Sequence, residues 1–104
     1  MLIQVNTDDN ISGDAGLATQ VEAVVDDALS RFKDQVTRVE VHLRDENSHK
    51  SGQDDKRCMM EARLAGRQPT AVTHHAATLT QAIRGAADKL QRQIESTLGR
   101  LRGH

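Results

Sequence analysis

Apolar and polar residues alternate in four short segments of the chain. In Leu2–Thr7, Ile3 and Val5 alternate with polar residues, and the same period of two occurs in residues 36–43, 57–64 and 70–75. Successive side chains of a β-strand point to opposite faces, so this pattern predicts strands with one apolar face and one wet face.

Two other segments have apolar residues spaced by three and four, which predicts amphipathic helices. The first follows Asp14, and its apolar face is Leu17, Val21, Val24, Ala28 and Phe32. Asp14 at its start and Arg31 and Lys33 near its end complement the helix dipole. The second covers residues 79–102. It begins with a capping box in Thr78-Leu79-Thr80-Gln81, and its apolar face is Leu79, Ile83, Ala86, Ala87, Leu90, Ile94, Leu98 and Leu101.

The predicted order of elements is β-α-β-β-β-α, an α+β fold in one domain over residues 1–104. Two amphipathic helices and four strands with one apolar face can bury their apolar residues together when both helices pack on the same face of one four-stranded sheet. The other face is then open to solvent. Residues 44–55 are polar throughout, which predicts a long loop between the second and third strands.

Composition narrows the classes of protein that fit this fold. Phe32 is the only aromatic residue, so the core is predicted to be aliphatic and the chain lacks the stacking platform of most single-strand nucleic-acid readers. No stretch approaches the roughly 18 apolar residues of a membrane span, and no secretion signal is recognisable, which predicts a cytoplasmic protein. The lone cysteine, Cys58, lies in a predicted strand and is interpreted as a core residue.

The sequence offers no group of residues for catalysis, a metal or a cofactor. No nucleophile elbow, phosphate-binding loop or dinucleotide fingerprint is present. His74 and His75 are adjacent in a predicted strand and should therefore point to opposite faces, so they are not expected to share a metal ion. We therefore expect a protein that is not an enzyme.

Charge is distributed unevenly along the chain. Residues 1–35 hold seven acidic and two basic residues, whereas residues 84–104 hold five basic and two acidic ones. Lys89, Arg92 and Arg100 fall on one flank of the last helix, where cations can bind phosphates without base specificity. The alternative is a solvated helix face with local ion pairs, Arg84 with Asp88 and Arg92 with Glu95.

Several segments, together with the order of elements, resemble the ribosome hibernation promoting factor and ribosome-associated inhibitor family, also called sigma-54 modulation proteins. The resemblance covers nearly the whole chain. Its main segment is Asp88-Lys89-Leu90-Gln91-Arg92-Gln93, and it is supported by Ile3-Gln4-Val5-Asn6, Val39-Glu40-Val41-His42-Leu43 and Ala82-Ile83.

The resemblance implies a bacterial stress factor that occupies the messenger and transfer RNA channel of the small ribosomal subunit and represses translation. Neither a membrane nor DNA is an expected partner. Basic residues on the helices of the family meet ribosomal RNA, and Lys89 and Arg92 match them in position. Arg100 and Arg102 complete the principal set of expected RNA contacts, and Arg84, Arg31 and Lys33 are weaker candidates. The chain resembles the short form of the family.

The first helix departs from the family pattern. Family members often carry lysines there, whereas this chain has Glu22, Asp26 and Asp27, which would repel RNA phosphates. Arg84 stands where the family often has an acidic residue. A second hypothesis follows, a regulatory protein that retains the fold but binds a protein partner through the acidic helix or the open sheet face. The sequence leaves open whether that sheet face forms a homodimer.

Overall fold

The computed structural model describes residues 1–9, 11, 13–46 and 55–101, with the backbone alone at residues 100 and 101. Its order of elements is the predicted one. The elements are β1 (Leu2–Thr7), α1 (Ala15–Ala28), a short 3-10 helix (Ser30–Phe32), β2 (Val36–Asp45), β3 (Lys56–Leu64), β4 (Thr70–Ala76) and α2 (Leu79–Leu101).

The four strands form one sheet in the order β1-β2-β3-β4. β1 is parallel to β2, with Ile3 opposite Val39, and α1 forms the crossover that a parallel pair requires. The other two pairs are antiparallel, and Val41 lies opposite Met60. This register places the apolar residues of neighbouring strands on one face, so both helices cover that face, as predicted.

The two helices run in the same direction across the sheet. Gln20 of α1 donates a hydrogen bond of 2.8 Å to the hydroxyl of Thr80 at the start of α2. Near the other end, Arg31 lies 2.7 Å from Glu95 of α2. Contacts at both ends therefore hold the helices side by side.

The first helix is shorter than predicted. Asp14 caps it as expected, because its carboxylate accepts a hydrogen bond of 2.8 Å from the backbone N–H of Leu17. The α-helix ends at Ala28, and a 3-10 turn carries Phe32 into the core. Arg31 and Lys33, which were predicted near the end of the helix, therefore lie three and five residues beyond it. Phe32 is buried although it lies beyond the α-helix, so the apolar spacing continued past the helix end and could not mark it.

The second helix begins where the capping box placed it. The hydroxyl of Thr78 accepts a hydrogen bond of 3.1 Å from the N–H of Gln81. One turn later, Gly85 lies against the ring of His74 on β4, so close that a Cβ atom at residue 85 would be 2.1 Å from the Cδ2 atom of the ring. Only glycine fits at this contact, and α2 approaches the edge of the sheet closely there.

The core between the sheet and the helices is aliphatic, as the composition predicted. Fully buried side chains come from both layers, among them Val21, Val25, Leu43, Met60, Ile83, Leu90 and Ile94. Cys58 is also buried, which confirms its interpretation as a core residue.

The connections between the strands differ in how tightly they are built. After β3, Arg67 N–H donates to the carbonyl of Leu64 at 3.1 Å, and Gly66 has the positive φ of 71° that this turn requires. In the predicted loop of residues 44–55, β2 extends to Asp45 and Glu46 N–H donates to Asp55. Residues 47–54 lie outside the described part of the chain.

Among the described residues, no helix is long and apolar enough to cross a membrane.

Candidate nucleic-acid interface

The exposed side of α2 carries three of the predicted RNA contacts. Arg84, Lys89 and Arg92 are exposed, while Ile83, Leu90 and other residues of the opposite stripe are buried. Successive helical residues are separated by about 100°, so these three cations point in different directions around the exposed surface. Lys89 and Arg92 are about 60° apart around the helix, as on the predicted flank, and Arg84 lies about 80° beyond Arg92, so the three together form a basic surface broader than that flank.

Lys89 lies at the border between α2 and the sheet. Its ammonium group donates a hydrogen bond of 2.8 Å to the backbone carbonyl of Thr73 on β4. A carbonyl carries no net charge, so this contact fixes the position of the ammonium group and leaves its positive charge uncompensated. A lysine ammonium group has three donors, and two remain for phosphate oxygens.

The ion pairs on α2 differ from those the sequence predicted. Arg92 pairs with Asp88, one turn earlier, and Glu95 pairs with Arg31. Both pairs are exposed, so each contributes little to stability and can rearrange toward a phosphate. Arg84 has no ion pair among the described residues. Together with Asp27 and Asp88 it lines the groove between α1 and α2, whose floor includes Ala23 and Ala87.

Arg31 and Lys33 lie beside α1 near the end of the helical layer. Arg31 is bonded to Glu95, and its guanidinium lies 5.3 Å from the centre of the Phe32 ring. Lys33 lies 3.1 Å from Asp26 of α1. Both cations are therefore partly neutralised by nearby acids. This makes them weaker candidate ligands for phosphate than Lys89.

The last two predicted cations fall at the end of the described chain. Arg100 belongs to the final turn of α2, where the backbone alone is described. Arg102 lies outside the described residues. The contribution of these two arginines to the basic surface stays a prediction.

One cation near this surface was missed in the sequence. Arg67 is exposed in the turn after β3 and lines a shallow hollow with Gln68 and with Thr97 of α2. Nothing in the sequence places residue 67 near the last helix, because 30 positions separate residues 67 and 97 along the chain. The available signal was an arginine in Gly66-Arg67-Gln68-Pro69, whose glycine and proline are typical of a turn.

The open face of the sheet also carries arginines. Arg38, Arg44, Arg57 and Arg63 point to this face, together with Glu40 and Glu61. The acids lie opposite one another, and Arg38 and His42 lie within 4.0 Å of Glu40. This face therefore has positive and negative rows across β2 and β3, and its excess of cations is no smaller than that of the described part of α2, where Arg84, Lys89 and Arg92 stand against Asp88 and Glu95.

The acidic residues of α1 lie on its exposed side. Glu22, Asp26 and Asp27 are all exposed, and α1 has no basic residue. Asp27 faces the groove between the helices, whereas Glu22 and Asp26 line the opposite side of α1, next to β1. An RNA that contacts α2 is therefore repelled as it approaches α1.

The histidines and the cysteine do not form a metal site in the described part of the chain. His74 packs against Gly85 on the helix side of β4, while His75 lies 3.0 Å from Glu46 on the other side. Among these described residues, no three His, Cys, Asp or Glu side chains are grouped to hold a metal ion. Burial raises the pKa of the Cys58 thiol to about 12, which keeps it protonated and unreactive at neutral pH.

The comparison with protein families agrees with this architecture. The family model described as "Sigma 54 modulation protein / S30EA ribosomal protein" matches residues 3–102. No curated protein matches the chain.

Two solved structures resemble the fold closely. The N-terminal domain of Protein Y from Thermus thermophilus has a TM-score of 0.75 and 22% identity, with 93% of this chain and 99% of that one covered. A ribosomal subunit interface protein from Coxiella burnetii has a TM-score of 0.74 and 13% identity, with 95% and 99% covered. At these identities the likeness establishes the fold.

Proposed function

The chain belongs to the sigma 54 modulation protein and S30EA ribosomal protein family, and we propose that it binds the small ribosomal subunit and holds ribosomes inactive under stress. In this proposal the protein is not an enzyme. It occupies the channel of messenger and transfer RNA and represses translation by excluding them.

The observation that carries the proposal is the family match over residues 3–102. The basic surface of α2 supports it, because this surface offers contacts for ribosomal RNA phosphates. The principal candidate contacts are Lys89, Arg92, Arg100 and Arg102, and the weaker candidates are Arg84, Arg31 and Lys33. We add Arg67 to this set because its turn lies beside the last turns of α2.

The physical mechanism is electrostatic binding with little sequence specificity. Each lysine or arginine that neutralises a phosphate releases a counterion, so affinity falls steeply as salt rises. The aliphatic composition agrees with this mode of binding, because Phe32 is the single aromatic residue and lies in the core. The protein therefore recognises the position of phosphates and not the identity of bases.

A second candidate function is regulation through a protein partner. The observation that favours it is the acidic surface of α1, where Glu22, Asp26 and Asp27 are exposed. In this alternative the fold is retained, and the acidic helix or the open sheet face contacts another protein. The two candidates differ in whether the protein binds ribosomes at all.

Co-sedimentation with ribosomes at low and moderate salt distinguishes the two functions. We expect the wild-type protein to pellet with the small subunit at low salt and to be released as salt rises. The double variant Lys89→Glu/Arg92→Glu should stay in the supernatant, because two attractive contacts become repulsive.

The matched control is Arg44→Glu/Arg63→Glu, which changes the net charge equally but alters exposed arginines on the open sheet face. This variant should still pellet. If the control loses binding and the α2 variant keeps it, the sheet face is the interface. If the wild-type protein never pellets, the ribosome-binding function is wrong.

A further inference from the structure

The two edges of the sheet are protected to different degrees. At β4, Lys89 donates to the carbonyl of Thr73, so a lysine covers the outer edge. β1 is the other edge strand, and none of its residues is charged or a proline. Lysine, proline and bulges are the usual features that prevent an edge strand from pairing with another chain. β1 lacks both of these residue types, and Leu2 is 56% exposed on it.

A groove runs between β1 and α1 along this unprotected edge. Toward the start of the strand it is lined by Leu2, Ile3, Thr19, Glu22, Ala23 and Asp26. A second hollow continues it beside Val5, Thr7 and Leu17. Ile3 and Val5 are half-buried in its floor, and Ala23 leaves room on the helix side. The groove thus combines an open strand edge with an apolar floor.

The charges beside this groove determine which kind of molecule can bind in it. Glu22 has no ion pair among the described residues, whereas Asp26 is partly neutralised by Lys33 at 3.1 Å, so Glu22 carries the larger share of the uncompensated charge. These carboxylates repel nucleic acid. They also disfavour edge-to-edge pairing with a second copy, because that arrangement would bring two acidic α1 helices toward each other. A cationic polypeptide has the complementary charge.

The spacing of the two carboxylates fits an extended chain. Glu22 and Asp26 are four helical residues apart, a rise of about 6 Å along α1. Residues two apart on an extended strand lie on the same face and are separated by about 6.6 Å. Two basic residues with one residue between them can therefore meet both carboxylates while the intervening residue faces away.

We propose that the groove between β1 and α1 is a docking site for an extended segment of another protein, with basic residues at every second position. The segment pairs with the outer edge of β1 as an additional strand, and its basic side chains contact Glu22 and Asp26. This inference goes beyond the proposed ribosome binding and does not rest on it, because the basic surface lies on α2.

The test uses the isolated protein and a synthetic peptide of eight residues in which Lys alternates with Val or Thr. Backbone NMR spectra recorded during the titration should show shifts confined to β1 and the facing side of α1. Amide hydrogen exchange at the outer edge of β1 should slow in the complex. A peptide of the same composition with all its lysines first should bind more weakly.

Two variants probe the chemistry of the site. Glu22→Gln/Asp26→Asn should weaken binding of the alternating peptide about fivefold at low salt, since two exposed ion pairs are lost. Leu2→Lys should weaken it as well, because the added cation repels the peptide while residue 2 is exposed in the fold. Asp27→Asn is the control for the position of the charge: it removes one charge from the same helix on the side of the other groove, and should change affinity less than twofold.

Three results would overturn the proposal. The first is equal binding of the alternating and rearranged peptides without protection of β1, since attraction alone would then account for it. The second is an RNA oligonucleotide that shifts the same β1 amides. The third is a concentration-dependent dimer that protects β1 without peptide, which would make a second copy the occupant. None of these results would alter the outcome of ribosome co-sedimentation.

Discussion

Gly85 lies in close contact with the ring of His74. We predict that Gly85→Ala destabilises the wild-type protein but stabilises a His74→Ala variant. A Cβ atom at residue 85 would lie 2.1 Å from Cδ2 and 2.6 Å from Cγ of the His74 ring, whereas ordinary contact begins at 3.4 Å. The helix or the ring must therefore move by about 1.3 Å, the difference between 3.4 and 2.1 Å. Because Cγ lies at the base of the ring, rotation of the ring alone does not remove the clash.

Two opposing contributions set the magnitude of the effect of Gly85→Ala. Alanine is favoured over glycine by about 1 kcal/mol within a helix. Overpacking of a close contact costs about 1 to 3 kcal/mol. In the wild-type background the substitution should therefore destabilise the fold by up to about 2 kcal/mol. In a His74→Ala background the clash is absent, and the same substitution should stabilise by up to about 1 kcal/mol.

A double-mutant cycle measured by urea unfolding tests this prediction. The four proteins are the wild type, Gly85→Ala, His74→Ala and the double variant. We expect a coupling free energy of about 1 to 3 kcal/mol between the two positions. Equal effects of Gly85→Ala in both backgrounds would refute the close approach of α2 to β4. The same approach positions Lys89 over Thr73, so a displaced helix should also weaken the basic surface.

Three further predictions concern the core, the first helix cap and the buried thiol. Leu90→Ala should cost about 2 to 5 kcal/mol in urea unfolding because its side chain is fully buried, whereas Leu2→Ala, at an exposed position, should change stability by less than about 0.5 kcal/mol; similar costs would contradict the core assignment. Asp14→Ala should cost about 1 kcal/mol through loss of the cap at Leu17, with Asp27→Ala as the uncapped control, and equal effects would refute the capping role. The pKa of Cys58 is raised in the fold to about 12 from 9.0, so the unfolded thiol ionises first and the free energy of unfolding should fall as pH rises from about 9 toward 12. Cys58→Ala should reduce that fall, and rapid alkylation of the native thiol at neutral pH would contradict its burial.

Most of the fold followed from the two periodicities of the sequence. Alternation identified the strands because one sheet face is buried and the other is wet, and β1 matched its predicted bounds at Leu2 and Thr7. The predicted end of the first helix was wrong, because Phe32 continued the apolar spacing although it belongs to a 3-10 turn beyond Ala28. Local patterns thus determined the type of each element better than its boundary.

The candidate surface was less predictable because it depends on contacts between distant residues. Sequence spacing paired Arg92 with Glu95, but Glu95 bonds to Arg31, which is 64 positions away. That contact exists because the two helices lie side by side. Since Glu95 is bonded to Arg31, Arg92 forms its ion pair with Asp88 instead. The position of Lys89 over the edge of β4 has the same origin, since it requires α2 to cross the strand next to Thr73.

The most direct test of ribosome binding through α2 is the salt dependence of affinity for purified small subunits, measured for the wild type and for Lys89→Gln/Arg92→Gln. We predict that the logarithm of the association constant falls linearly with the logarithm of salt concentration. The double variant should bind more weakly, with a slope shallower by about 0.7 to 0.9 for each phosphate contact removed. Equal affinity and equal slope for the two proteins would contradict the assignment of α2 as the RNA-binding surface.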